Sequence, residues 1–580
     1  MGRSNDDVAR QLAEISSLLR LAGEDRFRVR AYERAAGAVA AVTEDVSGLS
    51  REQLGRLKGV GPSIAAKIAE YLSTGRIGML DQLRASVPPG LLELTRIPGV
   101  GPKTARQLHD ALGIDSLDAL REALAAERLR DLPGLGARSE ANLREAVAGG
   151  WASGESGRVP AAEAIAVAQE MCARLRRLPE VREVTWAGSL RRMSETVGDV
   201  DLLAASTEPG PVMAAFRDSY LVARVVAAGA KKTSVITVRG IQADLRVVDP
   251  AAWGAALVYF TGSKAHNVRV RERAVRQGLM LNEYGLFRRG SGTPVASRSE
   301  ADVYAALDLD WIPPPMREDT GEVEAAAGHR LPRVVACDDL RGDLHGHSDW
   351  SGDGKATLEA MAAAAAARGY AYWAATDHAE NLPINGLSRD QVLARRDEIA
   401  RLQERHQMRI LDGAELNIGA QGTLDYDPDF LLGFDFCVAS VHSLMRRPAA
   451  QQTQRIIEAM HQPVVNVIGH PTGRLIGRRP GYDIDVDAIL QAAADTGTAL
   501  EVNASLRRLD LSGDLVRRAV DRGVTLAISS DAHSVGELAT VGYGVATAQR
   551  GWATPDLVLN CRDLAGLLAF VSAKRAAGRW

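Results

Sequence analysis

Hydrophobic positions follow three rhythms along this chain, and each predicts a different kind of element. Apolar residues recur at helical spacing across residues 6–21 and again at Ile64, Ile68 and Tyr71, predicting amphipathic helices. Residues 234–238 and 241–248 instead alternate around Arg239-Gly240, predicting a β-hairpin with Gln242, Asp244 and Arg246 on its polar face. Beyond Arg341 short apolar runs end in His, Asp or Glu and are separated by Ala-rich or amphipathic helical stretches. They end at His345 and His347, His378, Glu415, His442, His470, and Asp531 and His533; residues 498–502 supply a seventh strand. Apolar strands alternating with helices predict a parallel β/α barrel with its polar ends gathered at one rim. Residues 554–580 read as a final helix carrying Leu564, Leu567, Leu568 and Phe570, with a packing role. The fold class is therefore a multidomain α/β protein with a helical start, a mixed sheet and a distorted (β/α)7 barrel.

Glycines punctuate the N-terminal part in three copies of one pattern: Gly59-Val60-Gly61, Gly99-Val100-Gly101 and Gly134-Leu135-Gly136, each followed by a helical stretch. Such turns let the backbone approach a phosphate while the next helix's N-terminal amides point at the anion. Contacts of that kind carry no base preference.

The densest chemistry lies between them and the barrel. Gly188-Ser189-Leu190-Arg191-Arg192 precedes Gly198-Asp199-Val200-Asp201, and side-chain alternation puts Asp199 and Asp201 on one face, a geometry suited to divalent cations. Two-metal phosphoryl transfer needs a third carboxylate from a neighbouring strand, and Asp244 supplies it. Downstream stands Tyr259-Phe260-Thr261-Gly262-Ser263.

In this order the motifs resemble the DNA polymerase X family, over about residues 8–311. The resemblance implies that Asp199 and Asp201 bind both Mg2+ (or Mn2+) ions and that Asp244 binds the ion polarising the primer 3′-hydroxyl. Ser189, Arg192, Gly198 and Arg158 would hold the triphosphate, Tyr259, Phe260 and Gly262 would shape the sugar and base pocket, and Asn267 and Arg271 would sense the nascent pair. The glycine turns look like helix-hairpin-helix turns, with Na+ or K+ as candidate ions. Lys67 matches the family's Schiff-base lysine for 5′-deoxyribose phosphate removal. Arg28 and Tyr32, with Arg30 and Lys58, would bind the 5′-phosphate of a gap. Ser63 and Arg28 stand where polymerase beta has lysines, so a lyase and a plain phosphate-binding or solvated Lys67 both stay open.

The second half, over about residues 341–547, resembles the polymerase and histidinol phosphatase (PHP) family. That likeness implies His345, His347, Asp353, His378, Glu415, His442, His470, Asp531 and His533 as ligands of up to three ions in a phosphoesterase, for which a 3′–5′ exonuclease, an abasic-site endonuclease and a 3′-end phosphatase all fit. Nitrogen and oxygen ligands without thiolate suit Zn2+, Mn2+ or Fe2+ alike. Where the family has Ser-Asp-Gly, this chain has Ser351-Gly352-Asp353-Gly354, which leaves Asp349 as an alternative to Asp353.

Nine of the eleven histidines lie from His329 onward, setting the second half apart. An acidic, Ala-rich stretch after Pro313-Pro314-Pro315 reads as a linker. The expected division is 1–85 (5′-phosphate-binding or lyase domain), 86–155 (two further hairpin turns), 156–255 (palm), 256–312 (thumb), 313–340 (linker) and 341–580 (PHP). A net charge of -3 neither advertises nor excludes nucleic acid. Four scattered cysteines without a C-x-x-C pair suit a reducing cytoplasm, and no apolar run reaches the roughly 18 residues of a membrane span. The expected partners are gapped or nicked DNA bearing a 5′-phosphate and dNTPs, bound by a bacterial, cytoplasmic monomer. Two other readings remain: a template-independent nucleotidyltransferase joined to a small-molecule phosphatase, and a catalytically silent DNA-end scaffold.

Overall fold

A computed structural model describes residues 5–22, 24–40, 46–57, 59–94, 100, 102–130, 132, 135–136, 140, 143–144, 147, 158–288, 290–382 and 384–579. The chain forms two compact units, Met1–Arg158 and Val159–Trp580.

The first unit is helical around one apolar core. Helices Asn5–Leu21 and Arg26–Ala40 bury Leu12, Ile15 and Leu19 against Val29, Ala35 and Val39. Helix Pro62–Thr74 starts at Gly61 with proline in its first turn, where no intrahelical donor is lost, and ends on Gly75 in the left-handed conformation.

In the second unit a five-stranded sheet comes first: β1 (Glu183–Trp186), β2 (Val200–Ala205), β3 (Val222–Ala228), β4 (Lys232–Thr237) and β5 (Gln242–Val248). Its order is β1-β2-β5-β4-β3, with β2 and β5 parallel and the other pairs antiparallel, so the expected mixed sheet and the 234–248 hairpin are present. Helices Ala161–Leu175 and Pro209–Arg217 cover its apolar side. Helices Trp253–Thr261 and Lys264–Arg276 follow, then a small sheet of β6 (Leu279–Asn282), β7 (Gly285–Arg288) and β8 (Pro294–Ala296).

Seven parallel strands run in sequential order: β9 (Gly342–Asp343), β10 (Tyr372–Ala375), β11 (Arg409–Asn417), β12 (Phe436–Ser440), β13 (Val467–Ile468), β14 (Ala499–Asn503) and β15 (Leu526–Ser529). Past the ends of β9 and β15 the backbone continues to pair, Asp531 N donating to His345 O at 3.0 Å and His347 N to Ala532 O at 2.8 Å. Asp343 accepts from Ser530 N and Oγ across the same seam, so the sheet nearly closes on itself. Helix Leu564–Ala577 packs Leu567 and Val571 against the inward residues Leu344, Tyr372, Leu411 and Phe436, whereas Leu568 is largely exposed.

The 313–340 stretch corrects the linker expectation. Helix Glu322–Ala327 buries Glu322, Val323 and Ala326, and Arg317 is fully buried between Glu300 and the Ile312 carbonyl. A composition that suggests solvent is here neutralised in place by specific counter-charges. No helix among the described residues is long and apolar enough to cross a membrane.

Candidate active sites

Register builds the first site. Parallel pairing of β2 with β5 puts Asp201 directly beside Asp244, and Asp199 lies just ahead of β2. Gly188 (φ +59°) sits against them; a Cβ there would fall 2.2 Å from Asp201 Oδ2, so the turn carrying Ser189 reaches the carboxylates only as glycine. Burial, followed by the charges of Asp199 and Asp244, pushes Asp201 up to about 6. Lys232 Nζ lies 2.7 Å from Asp244 Oδ2, and Gln242 donates to its other oxygen at 3.1 Å. Three converging carboxylates with this repulsion among them fit a cation site.

Around them, Arg192 donates to Glu318 Oε1 (2.9 Å) and to the Thr261 carbonyl (2.6 Å), which brings it against Gly262. Arg191 is held by Glu300 and Thr261 instead. The rings of Tyr259 and Phe260 meet edge-on at 4.9 Å, Arg271 lies over Tyr259, and Arg246 lies over Phe260. Asn267 is buried and donates to the Tyr259 carbonyl at 2.7 Å, while its Oδ1 has no hydrogen-bond partner. Gly198 is exposed with open space beside it.

In the first unit Gly59 has a positive φ of 101° and Gly61 caps helix Pro62–Thr74. Gly136 is exposed, whereas Gly99, Gly101 and Gly134, like Lys58, lie outside the described residues. Lys67 is half-buried on helix Pro62–Thr74, and Arg158 is exposed. Arg28 pairs with Glu24 at 3.1 Å. Tyr32, expected beside a 5′-phosphate, is placed in the helical core instead; it shares a face with Val29, Ala35 and Ala36, and its hydroxyl donates to Met79 Sδ.

At the C-terminal rim of the barrel the strand ends converge around Glu415. Its carboxylate lies 2.8 Å from His378 Nδ1, 3.0 Å from His470 Nε2, 3.2 Å from His442 Nε2 and 3.6 Å from His345 Nε2. Asp531 Oδ1 is 3.3 Å from His347 Nε2, and Asp353 Oδ2 is 3.3 Å from His378 Nε2 and 3.4 Å from His533 Nε2. Asp349 is exposed, so of the two aspartates it is Asp353 that the structure brings to the cluster. Ligand atoms come within mutual reach in three groups: His347, His378 and His533; His345, His347 and Asp531; and His378, Glu415 and His442. Nε2 of both His345 and His347 is buried with no hydrogen-bond partner, as expected of ligand atoms pointing at a cation. The donor set therefore fits divalent ions.

Charge partitions sharply within this cluster. Burial disfavours a charged His345, but the carboxylates of Glu501, Asp531 and Glu415 outweigh it and hold the imidazole well above its usual range. Burial likewise opposes charge on His378, yet Glu415 and Asp353 raise it to about 10, while burial and the neighbouring His378 and His533 push His347 down to about 4. For Glu415 and Asp531 the surrounding histidines overcome burial and hold both carboxylates well below the ordinary range.

Several supporting residues escaped the sequence reading. Glu501, inside β14, accepts from His345 Nδ1 at 2.7 Å and from the His470 backbone amide; its apolar flanks made it look like strand interior. Asn417 faces His442 Nδ1 at 2.7 Å, and Asn503 donates to both Glu501 and Asp531. Asp377, next to His378, turns away: it accepts from Ser348 N and Ser351 Oγ and pairs with buried Arg395.

Paired palm carboxylates and a histidine-ringed β/α barrel in one chain define a nucleotidyltransferase joined to a metal-dependent phosphoesterase. Family models agree. The DNA polymerase beta thumb matches residues 256–318, a helix-hairpin-helix domain 3–77, a SAM-like helix-hairpin-helix tandem 91–148 and the PHP domain 343–505. The DNA polymerase/3′-5′ exonuclease PolX of Bacillus subtilis is 36% identical over 570 residues, covering 97% of this chain and 99% of that protein. Two probable phosphatases are each 29% identical: one from Thermoanaerobacter sp. (strain X514), over 38% of this chain and 89% of its own, and one from Syntrophotalea carbinolica, over 40% and 95%. The chain belongs to the PolX family of DNA polymerases.

Proposed function

We propose that this enzyme fills short gaps during DNA repair, adding template-matched deoxynucleotides at the palm and trimming 3′ ends at the barrel as a 3′–5′ exonuclease. The observation that carries the reading is the convergence of the strand-end histidines and carboxylates on Glu415, in the same compact unit as the Asp201–Asp244 pair. Asp199, Asp201 and Asp244 would hold Mg2+ or Mn2+; the nine barrel ligands would hold up to three Zn2+, Mn2+ or Fe2+ ions. Bound there, such ions neutralise phosphate oxygens and lower the pKa of the attacking hydroxyl or water.

The chain's own groups do the rest. Arg192, which now faces Glu318, exchanges that carboxylate for the incoming triphosphate, with Ser189 and Gly198 lining its path. Tyr259 and Phe260, fixed by Arg271 and Arg246, form the wall against the sugar and base. In the barrel, Glu501 holds His345 through Nδ1 so that Nε2 points into the cluster. The hairpin turns at Gly59–Gly61, 99–101 and 134–136 would grip backbone phosphates of gapped DNA, with Na+ or K+ as their ions, and the cytoplasm is the compartment assigned.

A labelled primer annealed across a one-nucleotide gap tests this. Template-matched addition is expected, faster when the downstream strand carries a 5′-phosphate; addition indifferent to template would favour the untemplated transferase. Lys67 is assigned to 5′-deoxyribose phosphate removal. Borohydride should trap the wild type on an incised abasic site and not Lys67→Ala, and equal trapping of both would exclude that role.

A further inference from the structure

The loops that carry His442 and His470 continue into a second feature that the cluster itself does not use. Residues 444–447, just past His442, and residues 479–483 enclose a pocket of about 850 Å³, the size of a small-molecule site. Its lining includes Arg446, Arg447 and Arg479, with Asp483 the only carboxylate among them, and Leu444 and Tyr482 supply apolar surface. We propose that this pocket holds the sugar-phosphate backbone of a single DNA strand, one or more nucleotides inward from a 3′-terminal phosphodiester at the histidine cluster. The proposal rests on the phosphoesterase reading above and adds the substrate's second point of attachment.

Three observations point the same way. First, the second wall is tied to the His470 loop: Tyr482 N donates to Thr472 O at 3.0 Å, Tyr482 Oη to Pro471 O at 2.7 Å, and Arg479 to Gly473 O at 2.7 Å. Gly473 (φ +63°) lets the Tyr482 ring lie flush, since a Cβ would come within 2.4 Å of it. A strand lying in the pocket would thus be positioned by the backbone that positions two cluster histidines.

Second, the cations outnumber their internal partners. Arg479 Nε is buried without a hydrogen-bond partner, and behind the first wall Arg455, 1% exposed, donates to Ser443 O while its Nε and Nη1 have none. Buried guanidinium charges of this kind carry a desolvation penalty that an anion in the adjacent pocket offsets electrostatically. Arg446 is exposed and makes no hydrogen bond or ion pair among the described residues. In a chain of net charge -3 such a local group of arginines is a specific feature.

Third, Leu444 adopts a left-handed backbone (φ +55°) that leaves its side chain 55% exposed at the pocket edge. An apolar side chain held outward beside arginines suits a nucleobase face next to its phosphate, the combination typical of single-strand grooves. A free phosphate or a small monoester would have no use for that extension.

The experiment has two arms. Wild-type hydrolysis of bis(4-nitrophenyl) phosphate with Mn2+ tests the phosphoesterase reading alone; no hydrolysis would overturn that reading whatever the pocket binds. In the second arm wild type, Arg446→Glu and Arg479→Gln degrade single-stranded oligonucleotides from dinucleotide to octanucleotide, with folding checked by circular dichroism. The expected result is a wild-type KM that falls with length. For Arg446→Glu the octanucleotide KM should rise about tenfold, the length advantage should vanish, and the salt slope should become shallower by about 0.7 for each lost phosphate contact. An octanucleotide KM within twofold of wild type in both folded variants would overturn the proposal. So would a KM that rises equally for dinucleotide and octanucleotide, because the arginines would then serve only the reacting phosphate.

Discussion

Residue by residue, a few buried charges held in opposition organise both sites. Glu415 is within hydrogen-bonding or ionic reach of five imidazoles, those of His345, His347, His378, His442 and His470, which makes it the hub of the barrel cluster. Glu415→Gln should therefore lower the metal content of purified enzyme by at least one ion per chain, measured by elemental analysis. It should also abolish most of the stabilisation by added Mn2+, which for a ligand at 100 times its Kd amounts to about 2.7 kcal/mol. Unchanged metal content would remove Glu415 from the ligand set. Much of this cluster was legible in advance, because apolar strands that end in His or Asp place ligands wherever a parallel barrel ends. Glu501 was not, since a carboxylate between Leu500 and Val502 announces itself only when His345 arrives from a strand 156 residues away. Tyr32 was misplaced for a similar reason: an aromatic on an arginine-rich helix looks available for phosphate until its face proves to be the core face.

Elements are joined in the same way by charges that the local sequence does not pair. Glu300, at the start of helix Glu300–Ala306, receives Arg191 from the Gly188–Arg191 turn at 2.8 Å and Arg317 from the 313–340 stretch at 2.7 Å. Burial alone would raise its pKa, but Arg317 and Arg191 outweigh burial and lower it to about 2, against an ordinary 4.5. A carboxylate whose folded pKa is depressed stabilises the fold above about pH 4.5 and loses that contribution as pH falls toward 2. The shift is worth about 3 kcal/mol, and Glu300→Gln should cost at least that at pH 7 because the buried guanidinium of Arg317 and the partly buried one of Arg191 lose their charged partner. In urea unfolding the gap between wild type and variant should narrow below pH 4.5 and close near pH 2. A gap independent of pH would show that Glu300 contributes packing and not charge. The same hub explains why residues 313–340 could not be read from composition: Arg317 and Glu322 look solvated in sequence, and only Glu300, 17 residues before Arg317, and His266, 56 residues before Glu322, make their burial tolerable.

On the scale of the whole molecule, palm and barrel share an interface of matched groups. Arg474, four residues beyond His470, pairs with Glu195 through both guanidinium ends at 2.9 and 2.7 Å, and Leu509 packs into the palm core. Arg550 of helix Val541–Arg550 shares Glu318 with Arg192, so one carboxylate touches both the barrel and the palm arginine proposed to receive the triphosphate. None of this was visible in the sequence, where the two halves appear as separate patterns with separate chemistry. Whether the two chemistries are independent is tested by incubating a 3′-recessed labelled primer–template with dNTPs and Mn2+, following lengthening and shortening of the same end, for wild type, Asp201→Asn and Glu415→Gln. Asp201→Asn is expected to lose extension by more than a thousandfold while shortening persists, and Glu415→Gln to lose shortening while extension persists. Loss of both activities in either folded variant would contradict two independent sites, and retention of extension in Asp201→Asn would contradict the palm assignment itself.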